Sequence, residues 1–215
     1  MRYTSVLFDL DGTLLDTLGD LTAAMNRTLT RHSLPERTRQ QMRAALGNGA
    51  RRLMELSVPT GTDSALFETL LAEYNADYTA HCRIETAPYP GVAALLRALH
   101  AQGRKLAIVS NKPDEAVRAL RADFFADAVP IAVGETAAIR RKPAPDMLLA
   151  AMEKLGTDPA GTVFVGDSEV DIATARAANL PCISVLWGFR DRDVLERAGA
   201  QQFAADIAQL QALLG

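Results

Sequence analysis

Short apolar runs recur along the chain and alternate, in its later part, with helical patterns. The runs lie at Val6–Phe8, Leu106–Val109, Ala128–Val133, Thr162–Val165 and Cys182–Leu186. The helical patterns between the later runs are Val92–His100, Asp114–Ala122, Pro145–Leu155 and Ile172–Ala178. Buried strands that alternate with helices predict an α/β fold, with a doubly wound, Rossmann-like parallel sheet covered on both faces.

The stretch from about Leu18 to Arg83 follows a different pattern. It shows no convincing strand, and its helical patterns are Leu21–Arg31, Ala50–Leu56 and Ser64–Tyr78. The segment Ile84–Gly91 that follows is rich in turn-forming residues. We therefore predict a core domain of residues 1–16 plus 87–215, and an inserted all-helical cap domain of residues 17–86 above the C-terminal end of the first strand.

Composition narrows the class of protein without defining its chemistry. The chain has 215 residues, 48% of them hydrophobic, and a net charge of −3 with no basic run. We therefore expect no nucleic-acid or membrane partner. Cys82 and Cys182 are far apart, which disfavours a disulfide or zinc site, and the apolar run at the start is too short for a signal peptide. A cytoplasmic metabolic enzyme or binding protein is the default prediction.

Polar residues with phosphoryl-transfer chemistry follow the first predicted strand. Asp9 and Asp11 stand two positions apart, so they project to the same side, where two carboxylates repel unless a cation or proton lies between them. Gly12 permits a tight turn, and the Thr13 hydroxyl can fix the loop. An acidic turn before a helix is the plainer alternative.

Three later strand ends carry complementary groups. Ser110 and Asn111 offer hydroxyl and backbone N–H donors to a phosphoryl oxygen, although both could simply cap a helix. Lys142 could offset negative charge, or could be a solvated cation beside Arg140 and Arg141. Because ligands bind at the C-terminal edge of an open parallel sheet, these groups are expected to converge there.

The last of these strand ends carries two further acids. Asp167 follows the strand, and Asp171 falls in the first turn of the next helix. Both could bind a hard cation such as magnesium, or complement the helix dipole. Four strand ends thus carry a nucleophile, hydrogen-bond donors for phosphate, a cation and metal ligands. Together these groups favour phosphoryl transfer.

These motifs, in this order, resemble those of the haloacid dehalogenase-like hydrolases, and most closely the phosphoglycolate phosphatase group. Further similarities are Leu46–Gly49, Tyr89–Gly91, Ser110–Lys112 and Trp187–Gly188. The resemblance implies a phosphatase that requires Mg2+ and acts on a small phosphorylated metabolite, with 2-phosphoglycolate as the first candidate.

The same resemblance implies a role for each residue of the core motifs. Asp9 would attack phosphorus and become an aspartyl-phosphate, and Asp11 would act as general acid and then base. Asp9, the Asp11 carbonyl and Asp167 would bind Mg2+, with Asp171 ordering its waters. The phosphoryl group would be bound by Ser110, Lys142, Thr13 and Asn111.

Specificity is expected to come from the predicted cap. Gly47-Asn48-Gly49 is predicted to begin a helix with free N–H groups, and Arg51 or Arg52 could bind a substrate carboxylate or be solvated. Trp187 could line the entrance or pack under the cap.

Three alternative functions are open. A dehalogenase has no use for a second aspartate, so Asp11 disfavours that function. The phosphosugar mutases of this superfamily carry a histidine about where Leu21 stands, so the leucine disfavours a phosphosugar mutase. A regulator that binds phosphorylated ligands without catalysis would not need both Asp9 and Asp11.

Overall fold

A computed structural model describes residues 3–215 and contains one large parallel sheet and one small sheet. The strands are β1 (Ser5–Phe8), β2 (Leu15–Asp16), β3 (Ala87–Pro88), β4 (Lys105–Pro113), β5 (Ile131–Glu135), β6 (Thr162–Gly166), β7 (Cys182–Val185) and β8 (Gln202–Ala204). The large sheet has the order β5-β4-β1-β6-β7-β8, and β2 pairs with β3.

Helices fill the sequence between the strands. They are α1 (Leu18–Arg31), α2 (Arg39–Ala45), α3 (Gly49–Ser57), α4 (Ser64–His81), α5 (Val92–Ala101), α6 (Asp114–Phe124), α7 (Asp146–Leu155), α8 (Glu169–Ala177), α9 (Arg192–Arg197) and α10 (Ile207–Leu214). None of the helices in the described part of the chain has both the length and the apolar character that a bilayer span requires.

The chain divides into two compact units. One contains the chain up to Leu15 together with Pro88–Gly215, and it holds the large sheet. The other, Asp16–Ala87, contains α1 to α4. We call them the sheet unit and the helical unit.

The sheet unit folds around strands that are buried on both faces. In β1 all four residues are buried, and alternate residues point to opposite faces, so each face needs its own helical cover. On one face Leu7 and Phe164 pack with Met147 and Leu148 of α7 and with Ala175 of α8. This arrangement confirms the predicted doubly wound, Rossmann-like core.

Strand order explains where the site forms. In the large sheet, β4 and β5 lie on one side of β1, in chain order outward. The later strands β6, β7 and β8 lie on its other side, again in chain order outward. The order therefore reverses between β1 and β6, the position at which open α/β sheets bind their ligands. The register places Phe8 at the end of β1 beside Ile108 of β4 and Val165 of β6.

Several sequence predictions need correction. The run Ala128–Val133 was predicted as a strand, but β5 begins only at Ile131, after Pro130. The predicted strand Leu106–Val109 continues to Pro113, so Ser110 and Asn111 belong to β4 and do not cap α6. The short elements β2, β3, α2, α9, β8 and α10 were not predicted, because each is too short to show a clear period.

Candidate active site

The turn after β1 positions the first two acids. The Asp9 N–H donates to the Val165 carbonyl (2.9 Å), and the Leu14 N–H closes the turn onto the Leu10 carbonyl (2.9 Å). Gly12 has a φ of +84°, and a β-carbon there would lie 2.3 Å from Asp167 Oδ2. The D-x-D-G turn is therefore packed tightly against the third acid.

Lys142 is the central cation of the site. Its side chain is 3% exposed, and its Nζ lies 2.7 Å from Asp9 Oδ1 and 2.7 Å from Asp171 Oδ1. Its neighbour Arg140, by contrast, is 77% exposed and pairs with Asp146. Lys142 is therefore buried in the site, whereas Arg140 of the same basic run is exposed to solvent.

Asn111 holds Lys142 in place. Its Nδ2 donates to the Lys142 carbonyl (2.9 Å), and its Oδ1 accepts from the Lys142 N–H (2.8 Å). This reciprocal pair is buried. The Asn111 side chain is therefore a positioning group for Lys142, a role that the sequence prediction of a backbone phosphate donor did not include.

The end of β6 supplies the other two acids. The Phe189 N–H donates to Asp167 Oδ2 (2.6 Å). Asp171 Oδ2 accepts from the Ser168 N–H (3.1 Å) and Oγ (2.6 Å), and the Asp171 N–H donates to Ser168 Oγ (3.4 Å), which completes a capping box at the start of α8. Asp171 thus serves the helix cap and also binds Lys142 through its other oxygen.

Burial makes this cluster electrostatically unusual. Burial, reinforced by Asp171 and Asp167 against the effect of Lys142, holds the pKa of Asp9 well above its ordinary value. Burial and the charge of Asp171 raise the pKa of Asp167 to about 7. The pKa of Lys142 is raised, since Asp171 and Asp9 outweigh the opposing effect of its burial.

The acidic surplus is what a bound cation would relieve. One oxygen each from Asp9, Asp167 and Asp171 lie within 4.8 Å of one another, and all three residues are buried. Carboxylate oxygens at such spacing form a donor set of the kind that hard cations prefer. These three residues fit a metal ion.

Asp11 has a cation of its own. The Nζ of Lys112, in β4, lies 3.1 Å from Asp11 Oδ1, and the Lys112 side chain is only 4% exposed. Asp9 and Asp11 therefore each contact a separate lysine, Lys142 and Lys112. Lys112 was noted only as part of a motif, because it lies beyond the predicted strand Leu106–Val109 and its contact with Asp11 has no periodic signal.

The hydroxyls of Ser110 and Thr13 are both buried. Ser110 Oγ accepts weakly from the Lys112 N–H (3.3 Å). Thr13 Oγ1 has no hydrogen-bond partner among residues 3–215, so it does not fix the loop as expected. Instead, Trp187 Nε1 donates to the Thr13 carbonyl (3.1 Å) and ties the turn to the segment after β7.

The two predicted cap residues belong to the helical unit. Asn48 is the N-cap of α3, which begins at Gly49 as expected, but its side chain makes no cap hydrogen bond. Arg52 is half exposed and pairs with Glu55 (2.8 Å), and Arg51 pairs with Glu68 (2.8 Å).

Comparisons with known proteins identify the family of the chain. The family model of haloacid dehalogenase-like hydrolases matches residues 6–185. A phosphoglycolate phosphatase from Rhodospirillum rubrum is 34% identical over 98% of this chain and 90% of its own length. An N-acetylmuramic acid 6-phosphate phosphatase from Pseudomonas aeruginosa is also 34% identical, over 88% of this chain and 84% of its own.

Solved structures show the same fold. A crystal structure from Lactobacillus delbrueckii subsp. bulgaricus has a TM-score of 0.94 at 33% identity and covers 100% of this chain and 99% of its own. The predicted resemblance to phosphatase-type hydrolases, closest to the phosphoglycolate phosphatase group, is confirmed. The chain belongs to the haloacid dehalogenase-like hydrolase family.

Proposed function

We propose that the protein is a Mg2+-dependent phosphomonoesterase that works through an aspartyl-phosphate on Asp9. The observation that carries the proposal is the buried Asp9–Lys142 pair at the sheet's reversal point, with Asp167 and Asp171 beside it. We further propose a cytoplasmic location, in keeping with two free cysteines.

In the first half-reaction, an Asp9 oxygen would attack phosphorus while the bond from phosphorus to the ester oxygen breaks. Lys142 restrains the orientation of the attacking carboxylate through its 2.7 Å contact. Asp11 is the more exposed of the two acids, with its side chain 21% accessible, so it can reach the leaving oxygen and donate a proton. The alcohol would then leave.

In the second half-reaction, Asp11 would take a proton from water as the water oxygen attacks phosphorus. The acyl–phosphate bond would break, releasing phosphate and restoring the Asp9 carboxylate. One carboxyl thus serves both steps, which agrees with its position outside the Asp9–Lys142 pair.

Mg2+ would be held by Asp9, the Asp11 carbonyl and Asp167, with Asp171 ordering its waters. The raised pKa values of Asp9 and Asp167 support this assignment, because they report carboxylates that lack sufficient positive charge. When bound, the ion would neutralise charge on the phosphoryl oxygens.

Phosphoryl oxygens would be bound by the buried hydroxyls together with Lys142 and the backbone N–H of Asn111. The Thr13 Oγ1, which has no partner among residues 3–215, supports this proposal most directly. A buried hydroxyl without a partner costs free energy that a ligand oxygen would recover.

The helical unit is proposed to act as the cap, and Asn48 and Arg52 are proposed to contact the rest of the substrate. We propose 2-phosphoglycolate first, because that substrate appears in the names of relatives such as the R. rubrum protein.

A screen of phosphorylated metabolites, with and without Mg2+ and with released phosphate as the readout, tests the proposal. The Asp9→Asn variant is the control for contaminating phosphatases. Release that requires both Mg2+ and Asp9 is the expected result. Equal release by the wild type and Asp9→Asn would contradict it.

A further inference from the structure

A second buried ammonium divides the site into two parts. Lys142 contacts Asp9 and Asp171, on the side of the proposed nucleophile. Lys112 contacts Asp11, the acid proposed to protonate the leaving oxygen. Lys112 therefore lies on the leaving-group side, where it can contact the substrate beyond its phosphoryl group.

Distance limits what Lys112 could recognise. Its Nζ is 3.1 Å from Asp11 Oδ1. If Asp11 Oδ1, which has no hydrogen-bond partner among residues 3–215, bonds the leaving oxygen, the ammonium lies at most about 6 Å from that oxygen. In an ester of a 2-hydroxy acid, the carboxylate oxygens lie roughly 3 Å from the ester oxygen. Such a carboxylate spans the interval between the ester oxygen and the ammonium.

Burial favours an anion over a neutral group at this position. The Lys112 side chain is 4% exposed, so its charge is poorly screened by solvent. Arg51 and Arg52, the alternative carboxylate partners, are each about half exposed, so solvent screens their charges more strongly. Lys112 is the better desolvated of these cations.

We propose that Lys112 selects phosphate esters of 2-hydroxy acids by binding the carboxylate next to the ester oxygen. The inference rests on the proposed phosphatase function and deepens it. It places part of the substrate selectivity on strand β4 of the sheet unit, apart from any contribution of the helical unit.

The test compares two esters of equal length, 2-phosphoglycolate and 2-hydroxyethyl phosphate, which differ in the carboxylate. We expect the wild type to prefer the acid in kcat/KM. In Lys112→Met, kcat/KM should fall roughly tenfold to a hundredfold more for 2-phosphoglycolate than for 2-hydroxyethyl phosphate, mainly through a rise in KM. Lys112→Arg should recover part of that difference. Lys154→Met, at an exposed position of α7, is the matched control and should leave the preference unchanged.

Two outcomes would overturn the proposal separately from the phosphatase assignment. Equal losses on both esters in Lys112→Met would show that Lys112 acts only through Asp11. A wild type that hydrolyses both esters without preferring the acid would contradict the inference even if no variant folded. Failure of the wild type to hydrolyse either ester would instead overturn the proposed function and this inference with it.

Discussion

Each unit of the protein has a buried aspartate surrounded by charge, and the two clusters have opposite balances. In the helical unit, the Asp77 side chain is 3% exposed and accepts from Arg27 (2.9 Å) and Arg31 (3.0 Å), with His81 3.6 Å away. In the sheet unit, Asp9 shares one ammonium, Lys142, with Asp171, and Asp167 lies beside them.

The pKa shifts of the two aspartates follow these balances. Burial would raise the pKa of Asp77, but the hydrogen bonds from Arg27 and Arg31 outweigh it and hold the pKa below its ordinary value. Burial raises the pKa of Asp9, and one lysine does not offset it. A buried aspartate that contacts more than one cationic side chain has its charge balanced within the fold. A cluster in which buried carboxylates outnumber the cationic side chains is suited to bind a metal cation.

The largest expected effect is the loss of activity in Asp9→Asn. Removing the proposed nucleophile should lower kcat by about four orders of magnitude or more. The variant should unfold at a temperature no lower than the wild type without metal, because one of three mutually repelling carboxylates becomes neutral. Steady-state kinetics and thermal denaturation measure the two effects. A marked drop in Tm would contradict the view that repulsion among the buried carboxylates destabilises the metal-free site.

Metal binding should stabilise the sheet unit by relieving the same repulsion. Adding Mg2+ to the chelated wild type should raise Tm, by an amount equivalent to about 2.7 kcal/mol at a hundred times Kd, and should restore activity. The rise should shrink in Asp9→Asn and persist in Asp77→Asn. An equal rise in both variants would place the metal elsewhere.

Asp77→Asn should show the opposite pattern to Asp9→Asn. The change leaves Arg27 and Arg31 without their buried carboxylate, which we expect to cost about 1–3 kcal/mol of unfolding free energy. Denaturant titration measures that cost. Phosphatase activity of the folded variant should stay within about twofold of the wild type, since the charged partners of Asp77 are Arg27, Arg31 and His81 of the helical unit. Unchanged stability would contradict the structural role.

The acid dependence of the same variant has a defined sign. Because the pKa of Asp77 is lower in the folded protein, its contribution is present above the ordinary value of 3.8 and is lost as pH falls through the folded pKa. The stability difference between wild type and Asp77→Asn should therefore narrow below about pH 4. A difference that widens with falling pH would reverse the assigned shift.

Arg52→Ala should have the smallest effect on stability. Its exposed pair with Glu55 contributes no more than about 0.5 kcal/mol, and the Arg197–Asp193 pair of the sheet unit is likewise exposed. If Arg52 contacts the substrate, its alanine variant should raise KM severalfold while Arg197→Ala leaves KM unchanged. Equal KM values in the two variants would remove Arg52 from the site.

Residues at strand ends were predictable because the periodicity of buried strands locates their ends. The positions of Asp9 and Asp167 followed from the apolar runs before them, and β1 and β6 are adjacent in the sheet. The pairing of Asn111 with the Lys142 backbone and of Lys112 with Asp11 could not be predicted. Both join β4 to distant segments, and such contacts depend on tertiary packing that has no periodic signal.

Helices of the helical unit were predictable in type and less so in extent. The pattern Leu21–Arg31 gave α1, which begins at Leu18, and Ser64–Tyr78 gave α4, which ends at His81. The missed turns add few apolar residues, Leu18 in α1 and Ala80 in α4, so the periodic pattern locates the helix ends only to within a few residues. The helix α2 has a single buried residue, Met42, and so shows no stripe at all.

The central claim is that Asp9 accepts the phosphoryl group. Rapid acid quench during turnover of 2-phosphoglycolate, borohydride reduction and peptide mass spectrometry would test it directly. An acyl phosphate on Asp9 is reduced to the alcohol, so we expect homoserine at position 9 in a fraction of the protein. Reduction at another aspartate, or efficient turnover with no reduced residue, would contradict it.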